Sequence, residues 1–551
     1  MTADYSYFGK KILIIDDQRA FQVMLKSMLQ NFGASDIHFA HSAELAIRMC
    51  QKNSYDILLI DYNLGNAQNG AQLLEELRQT DAIAPGTLCL IISGESHKSI
   101  VLNALEMEPD DFLTKPFSQN QLNHRVQRAS QKRQELLPIY IAFAEQQYQR
   151  AIEYCQQYMA DKGRYHSICQ SLMVEAMIHK KDYQGARSIL QEQLKKGIQT
   201  SVIATLGHVD YLLGNYQKAI EVLSNIVRDS PFLLSAYDSL ALAFRDNGQP
   251  DKALNIISRA NEISPLSVSR QQIMADLALE TNNLRLAKEA FGQILTLARR
   301  SVHRGPEHLC NFIRSLIDEA QDEEDLYRKN RLLQEVGNVL FKARHEEGLD
   351  NQFDFEAFEG LSQARVLATK GEIHRAKQVL FSSNQDYIHT PKHVPNILLP
   401  DTFLTLHSVG EYEYAIPIIE ELRLRDAINP LARKAANRLA ENPKFSAQMN
   451  NFHELNQRGI QAHSEGNYQQ AAQLFHKALR IAPGNTGVML NRIQSLLKHL
   501  ASTPNGSLNE FELCKQGFQS LEGIQLTLIH AKRLKTLKDE FEALLRGHTH
   551  T

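Results

Sequence analysis

Five short, mainly apolar runs between residues 12 and 114 constrain the fold of this chain more than any other feature. Continuous runs of about four or five apolar residues are typical of strands that are buried on both faces. Stretches with helical periodicity separate them, which predicts an α/β doubly wound sheet. In that architecture chemistry lies beyond the carboxyl ends of the strands. The runs are Ile12–Ile15, Ile37–Ala40, Ile57–Ile60, Leu88–Ile92 and Phe112–Thr114.

Polar side chains follow four of these runs directly. Asp16 and Asp17 follow the first, Asp61 the third, Ser93 the fourth and Lys115 the fifth. Carboxylates that converge on one rim suit Mg²⁺, which prefers oxygen ligands and keeps several waters. The metal would hold a phosphoryl donor in line with Asp61, which would act as the nucleophile and form an aspartyl phosphate. Lys115 would supply a second positive charge to the transferring oxygens.

The sequence around these positions resembles the receiver family of two-component response regulators. The acidic pair, the Asp of Leu59-Ile60-Asp61, the hydroxyl of Ile92-Ser93-Gly94 and the Lys-Pro of Thr114-Lys115-Pro116-Phe117 stand in the family's order at close to its spacing. The resemblance covers roughly residues 10 to 130. It implies a flavodoxin-like fold, in which a five-stranded parallel sheet has the order 2-1-3-4-5.

The resemblance also implies roles for single residues. Asp17, Asp61 and the backbone carbonyl of Asn63 would ligate Mg²⁺, and Asp16 would act on the metal mainly through water. Ser93 would bond the phosphoryl group and move with it.

Four further positions receive roles from the resemblance or from their place beside the site. Phe112 matches the family's switch aromatic, although a place in the core explains it equally well, and the Lys115–Pro116 bond would be cis. Asn63 and Glu95 flank the site and would tune dephosphorylation by positioning water, or are simply exposed polar residues.

The loop after Asp61 departs from the family pattern. The family usually has a proline four residues after the acceptor and a glycine eight residues after it. Here those features are replaced by Gly65 and by Gly70, which is nine residues after Asp61. We therefore expect a loop that is one residue longer and more flexible.

From about Leu137 the strand pattern gives way to helical periodicity with an internal repeat. A turn followed by alanine recurs with the alanines 35, 33, 34 and 34 residues apart, at Ala151, Ala186, Ala219, Ala253 and Ala287. This period is typical of tetratricopeptide (TPR) helical hairpins, where the small side chain lets two helices approach closely. A late repeat runs from Gly459 to Pro483, and weaker ones lie around residues 371–376 and 410–415.

These patterns predict four segments. Residues 1–130 form the receiver, 131–300 an N-terminal TPR array, 301–400 an irregular helical segment with a loop, and 401–551 a C-terminal TPR-like helical region. The acidic run from Asp318 to Asp325 is interpreted as a solvated helix face rather than a binding site.

Bulk properties exclude several classes of function. The net charge of −3 gives no reason to bind nucleic acid, and no apolar run approaches the roughly 20 residues of a membrane span. Six scattered cysteines without CxxC spacing and the lack of a signal peptide predict a cytoplasmic protein. No motif of a conventional enzyme is present, so the chemistry we expect is the receiver's own phosphorylation and dephosphorylation.

The leading hypothesis is a response regulator of a phosphorelay. A sensor histidine kinase or phosphotransfer protein would supply the phosphoryl group, and a protein or peptide would bind in the TPR groove. This layout resembles the VieB-type auxiliary response regulators. Two alternatives stay open: a phosphate sink that dephosphorylates itself rapidly, and a constitutive TPR scaffold with the receiver as a docking module. Pairing into a homodimer is also left open.

Overall fold

The computed structural model describes residues 7–65, 68–95, 97–161, 163–197, 199–299, 301–345, 353–502 and 508–548. The contacts divide the chain into two compact units. The first consists of residues 1–286 and 292–304, and the second of residues 287–291 and 305–551.

The first unit begins with a five-stranded sheet whose neighbouring strands are all parallel. The strand order is β2-β1-β3-β4-β5, which confirms the predicted receiver fold. Each predicted apolar run lies within a strand. The strands are β1 Lys11–Ile15, β2 Asp36–Ala40, β3 Ile57–Asp61, β4 Leu88–Ser93 and β5 Asp111–Thr114.

Helices cover both faces of this sheet, which is why the interior positions of β1, β3 and β4 are all apolar. Alternate residues of β1 and β3 belong to two different core clusters. Leu13 and Leu58 pack with the second, third and fourth helices, and Ile12 and Ile57 with the first and fifth. The helices are α1 Arg19–Gln30, α2 Ala43–Lys52, α3 Gly70–Gln79, α4 Lys98–Glu106 and α5 Gln119–Glu135.

After α5 the described chain is helical, and within each unit many helices pack against the next helix along the chain. The helices are α6 Leu137–Ala144, α7 Tyr148–Ala160, α8 His166–His179, α9 Tyr183–Lys196, α10 Thr200–Leu212, α11 Tyr216–Asp229, α12 Leu234–Asp246, α13 Pro250–Ile263, α14 Val268–Glu280, α15 Leu284–Ala298, α16 Pro306–Asp322, α17 Leu326–Arg344, α18 Phe355–Thr369, α19 Ile373–His389, α20 Leu399–Ser408, α21 Tyr412–Leu424, α22 Pro430–Ala440, α23 Pro443–Ser464, α24 Tyr468–Ile481, α25 Thr486–Ser502, α26 Leu508–Gln519 and α27 Leu528–His548, with a short 3₁₀ turn at Pro391–His393.

The repeating turn has one backbone conformation wherever the sequence pattern recurs. A residue with positive φ begins it, and the alanine five residues later is buried between two helices. Glycine adopts positive φ without strain, whereas Gln146, Lys181 and Asn282 adopt it here with a side chain. The glycines are Gly214, Gly248, Gly371, Gly410 and Gly466.

Two glycines on the facing helices show how close the hairpins pack. A Cβ atom added to Gly207 would lie 2.7 Å from Leu223 Cγ, and one added to Gly459 would lie 2.6 Å from Phe475 Cε1. Both distances are shorter than a carbon–carbon contact allows. Gly207 and Gly459 are therefore positions where the two helices of a hairpin approach closely.

The interpretation of the acidic run as a solvated face is wrong at its first residue. Asp318 is buried in the second unit and accepts a hydrogen bond of 2.7 Å from Arg365 Nη2, while Arg438 lies 3.4 Å away. α16 packs against both α17 and α18, so the side of α16 that carries Asp318 faces protein rather than water. A buried carboxylate requires such partners.

Within the part of the chain that the structure describes, no helix combines the length and the apolar character that crossing a bilayer needs.

Candidate functional site

Three carboxylates converge at the carboxyl ends of β1 and β3. Oxygen atoms of Asp16, Asp17 and Asp61 lie within 4.8 Å of one another. β1 and β3 are direct neighbours with Ile15 opposite Ile60, so the residues that follow them meet at one edge. Asp16 and Asp61 are buried, with 1% and 5% of their surface exposed, and Asp17 is exposed. This donor set matches the oxygen ligands of a hard divalent cation.

Lys115 reaches the same cluster from the end of β5. Its Nζ lies 2.7 Å from Asp61 Oδ1 and 3.0 Å from Asp16 Oδ2, so one ammonium bridges the two buried carboxylates. The backbone fixes this position, because Lys115 N donates to Ser93 O at 2.7 Å and the Lys115–Pro116 peptide bond is cis. Sequence reasoning had placed all five strand-end residues on one rim, and the structure brings them together there.

Phe21 completes the surroundings of Lys115 and was not foreseen. Lys115 Nζ lies 3.6 Å from the centroid of the Phe21 ring, and Phe117 meets that ring edge-on. A cation over an aromatic face is attracted by the ring's quadrupole. Phe21 therefore restricts where the ammonium can lie. In the sequence it is only an apolar residue of α1, and no pattern marks it as part of the site.

Burial dominates the electrostatics of Asp61. Desolvation raises the pKa of Asp61 to about 6, against the lowering effect of Lys115 and with a smaller upward contribution from Asp16. The backbone N–H of Asn63 donates to Asp61 Oδ2 at 3.2 Å and favours the charged form. The ionised form of Asp61 is therefore disfavoured by burial, and a bound cation would offset this desolvation penalty.

Ser93 lies at the end of β4, buried beside the cluster, and its hydroxyl is engaged by the following loop. Ser93 Oγ accepts from Glu95 N at 3.0 Å and lies 3.2 Å from Glu95 O. The two candidate tuning residues, Asn63 and Glu95, are both exposed at the mouth of the site. Asn63 Oδ1 accepts from Gly65 N at 3.3 Å.

Phe112 is half-buried and packs against the core cluster on the α2–α3–α4 face of the sheet. That cluster also contains Ala104 of α4. A half-buried ring in this position is compatible with both interpretations of Phe112, as a core residue and as a switch residue.

The unusual loop after Asp61 brings its second glycine against the backbone of Asp61. A Cβ on Gly70 would lie 2.3 Å from Asp61 O, and Gly70 N donates to Tyr62 O at 2.8 Å. Gly65 has φ of +84°, while positions 66 and 67 of the predicted longer loop lie outside the described residues. Gly70 is therefore required for close approach, a role that its odd spacing obscured.

A second feature links the sheet to the helices that follow α5 in the first unit, which are called the array below. Glu106 Oε1 of α4 lies 2.5 Å from Arg270 Nη2 of α14, and Leu102 packs on the apolar cluster of α11 to α13. α3 contributes Glu75, which lies 2.8 Å from His303 Nε2. Nothing in the local sequence pattern of α3 or α4 indicated these contacts.

Comparisons with known proteins match the N-terminal part of the chain. Residues 12–127 match the model of the response regulator receiver domain. PhoP of Bacillus subtilis, named an alkaline phosphatase synthesis transcriptional regulatory protein, is 29% identical over 128 residues, which is 23% of this chain and 51% of the relative. The transcriptional regulatory protein CpxR of Klebsiella pneumoniae is 33% identical over 116 residues, covering 21% and 47%.

The chain thus spans about half the length of these curated relatives. The chemotaxis protein CheY of Bacillus subtilis is 26% identical over 118 residues, covering 21% of this chain and 95% of that protein. The receiver domain of the Francisella response regulator 1452 is a solved structure with 27% identity and a TM-score of 0.21, covering 22% of this chain and 98% of that one. Residues 12–127 are a receiver domain of the two-component type.

Proposed function

We propose that this chain is a response regulator that accepts a phosphoryl group on Asp61 with Mg²⁺ and transmits the signal through a TPR-type array that binds a protein partner. The observation that carries the proposal is that one structural unit contains the acidic cluster, the helix α4, and the helical array that α4 contacts. The phosphoryl donor would be a sensor histidine kinase or a phosphotransfer protein.

The chemistry at the strand ends supports phosphoryl transfer. A carboxylate oxygen of Asp61 would attack phosphorus, the bond from phosphorus to the donor atom would break, and the donor would leave with that electron pair. Asp16, Asp17, Asp61 and the Asn63 carbonyl would hold Mg²⁺, which would neutralise charge on the transferring oxygens. Lys115 lies 2.7 Å from Asp61 Oδ1 and would remain paired with oxygen throughout.

Two connections link the surroundings of Asp61 to α4. Ser93 ends β4 only five residues before α4 begins at Lys98. The hydroxyl of Tyr62, the residue after Asp61, donates to Asn103 Oδ1 of α4 at 3.1 Å. If Ser93 exchanges its contacts with Glu95 for a phosphoryl oxygen, the loop that leads into α4 must shift, and Phe112 would follow it.

The outward side of α4 is the part that meets the array. Because the array contacts the receiver at α3 and α4, a change of α4 would alter that contact and expose or cover array surface. The hairpins that follow, with their regular turns and buried alanines, support a TPR-type scaffold for partner binding.

Labelling tests the acceptor directly. We expect wild-type protein incubated with Mg²⁺ and acetyl phosphate to gain the mass of one phosphoryl group, sensitive to base, and Asp61→Asn to gain none. Asp56→Asn is the matched control, since Asp56 lies at the opposite end of β3 and pairs with Lys10 at 2.9 Å. Labelling of Asp61→Asn equal to wild type would refute the assignment.

Hydrogen exchange tests the output. Phosphorylated protein should exchange the amides of α4 and of α12 to α14 faster than unmodified protein does, because their shared surface opens. Identical exchange in both states would instead favour the constitutive scaffold.

The phosphate sink is the second candidate, and the exposure of Glu95 and Asn63 beside Asp61 favours it. Either side chain could orient water at the phosphoryl group. The lifetime of the phosphoprotein in Mg²⁺ separates the two functions. Decay within seconds supports a sink, and persistence for many minutes supports a switch.

A reducing compartment suits the same proposal. All six cysteines are free and buried. We therefore place the protein in the cytoplasm, where a kinase could reach it.

A further inference from the structure

The face of the array that receives α4 has three separate contact points. Lys98 Nζ lies 4.8 Å from the ring centroid of Phe232. Leu102 packs against a cluster of buried side chains that includes Leu234 and Tyr237 of α12. Glu106 Oε1 lies 2.5 Å from Arg270 Nη2, and its Oε2 accepts from Ser264 Oγ at 3.2 Å. The array thus offers an aromatic ring, an apolar surface and a guanidinium.

These three contacts are made by one stripe of α4. Lys98, Leu102 and Glu106 are spaced four residues apart, so they lie along a single side of the helix. The opposite side, with Ile100, Asn103 and Ala104, packs into the receiver. The array therefore recognises a basic, an aliphatic and an acidic residue in that order over about two helical turns.

The array itself positions the arginine at the acidic end. Arg270 is buried, and Asp238 of α12 accepts from its Nε at 2.8 Å and from its Nη2 at 3.0 Å. Arg270 Nη1 also donates to Ser264 O at 3.3 Å. Since Asp238 and Ser264 belong to the array, the guanidinium keeps its orientation without α4 and forms a ready receptor for a carboxylate.

We propose that this face binds a helix of a partner protein that presents the same stripe, with Lys or Arg, Leu and Glu at four-residue intervals. In this structure α4 of the receiver covers that face of the array, and the partner helix displaces α4 when it binds. The release step by phosphorylation rests on the proposed function, whereas the recognition of the stripe does not. Helix-in-groove binding of this kind is read through residues at helical spacing.

A labelled synthetic peptide tests recognition without any phosphoryl group. Its probe is a helical peptide that carries the Lys, Leu and Glu of residues 98, 102 and 106, and fluorescence anisotropy measures its binding to the full chain. Leu102→Ala combined with Glu106→Gln loosens the resident helix while leaving the array unchanged. We expect this double variant to bind the peptide at least about tenfold more tightly than wild type does, a difference of about 1.4 kcal/mol.

Three controls decide the outcome. A peptide of the same composition with the three residues on different sides should bind the double variant about tenfold more weakly, and so should a peptide with Gln for Glu. Adding Phe232→Ala to the double variant should weaken binding without affecting the fold, since Phe232 is 50% exposed. Equal binding of the matched and rearranged peptides, or no binding by a double variant that retains its helical circular dichroism, would overturn the inference.

Phosphorylation is a separate arm. If the peptide binds the double variant, but Mg²⁺ and acetyl phosphate do not raise its affinity for wild-type protein, the stripe is recognised and the gating of the proposed function fails. If the peptide binds the double variant and phosphorylation raises its affinity for wild-type protein, the same surface binds α4 in the unmodified protein and the partner helix after phosphorylation.

Discussion

Tyr62, the residue after Asp61, and Asn103 of α4 are joined by one hydrogen bond of 3.1 Å between buried side chains. Burial raises the pKa of Tyr62 to about 12, with a smaller contribution from Glu95, so the phenol remains a donor at neutral pH. A deleted hydroxyl would leave Asn103 Oδ1 buried without this donor, which costs about 1–3 kcal/mol. The contact ties the position of α4 to the residue next to Asp61.

Tyr62→Phe should therefore leave phosphorylation intact and weaken the conformational response of α4 to it. Labelling of Asp61 should persist, while the response of α4 should fall. The chain contains no tryptophan, so Leu105→Trp on the outer part of α4 gives a single fluorescent reporter. Tyr55→Phe is the matched control, because Tyr55 is also buried but bonds His38 at 2.8 Å, away from α4. An unchanged fluorescence response in Tyr62→Phe would contradict this route.

Asp61→Asn should stabilise the metal-free protein at neutral pH. Desolvation raises the pKa of Asp61 to about 6. An acid whose pKa is higher in the folded state stabilises the fold below its unfolded pKa and loses that contribution as the pH rises through about 6. Replacing it removes a penalty of at most about 3 kcal/mol at pH 8 and changes little near pH 4. Urea unfolding at the two pH values measures the difference.

Asp56→Asn should behave in the opposite way. Burial tends to raise the pKa of Asp56, but the N–H of Lys11 and the ammonium of Lys10 outweigh it and hold that pKa below its usual value. Its stabilising contribution is present above the unfolded pKa and lost as the pH falls. A stabilising effect of both substitutions, or of neither, would show that burial does not govern Asp61.

Mg²⁺ should stabilise wild-type protein and should fail to do so when Asp17 is replaced by Asn. A cation that binds only the folded state adds about 1.4 kcal/mol at ten times its dissociation constant. Asp17 is exposed, so its replacement removes a ligand without disturbing the core. Thermal unfolding with and without Mg²⁺ measures the effect, and Glu44→Gln, at another exposed acid, is the control. Equal stabilisation of the Asp17 variant would place the metal elsewhere.

The receiver could be predicted from sequence because its determinants are local. Parallel strands end at one edge, so the residue after each apolar run was enough to bring Asp16, Asp61 and Lys115 together. The repeat was visible for a related reason, since each hairpin needs a small residue at a fixed distance from its turn.

The remaining contacts depend on distant parts of the chain. Glu106 and Arg270 are 164 residues apart, and the pattern of α4 does not show that a second surface faces it. Asp318 was misjudged for the same reason, because its partner Arg365 is 47 residues away. An amphipathic pattern indicates that one side of a helix is buried. It does not indicate which charged residues on the other side form ion pairs with distant parts of the chain.

Gly70→Ala should damage both stability and phosphorylation. Its Cβ would lie 2.3 Å from Asp61 O, so the acceptor strand or α3 must shift, at a cost of about 1–3 kcal/mol. Because phosphoryl transfer depends on geometry, a shift of the Asp61 backbone should slow labelling by about tenfold or more.

Gly33→Ala separates these two effects. Gly33 has φ of +90° with no atom within 4 Å of an added Cβ, so alanine there should cost about 1 kcal/mol through backbone strain. Labelling by acetyl phosphate, measured at a temperature where both variants are folded, should remain at the wild-type rate in Gly33→Ala and fall in Gly70→Ala. Equal rates in the two variants would mean that the close approach of Gly70 to Asp61 is tolerated, and that the longer loop adjusts without moving the acceptor.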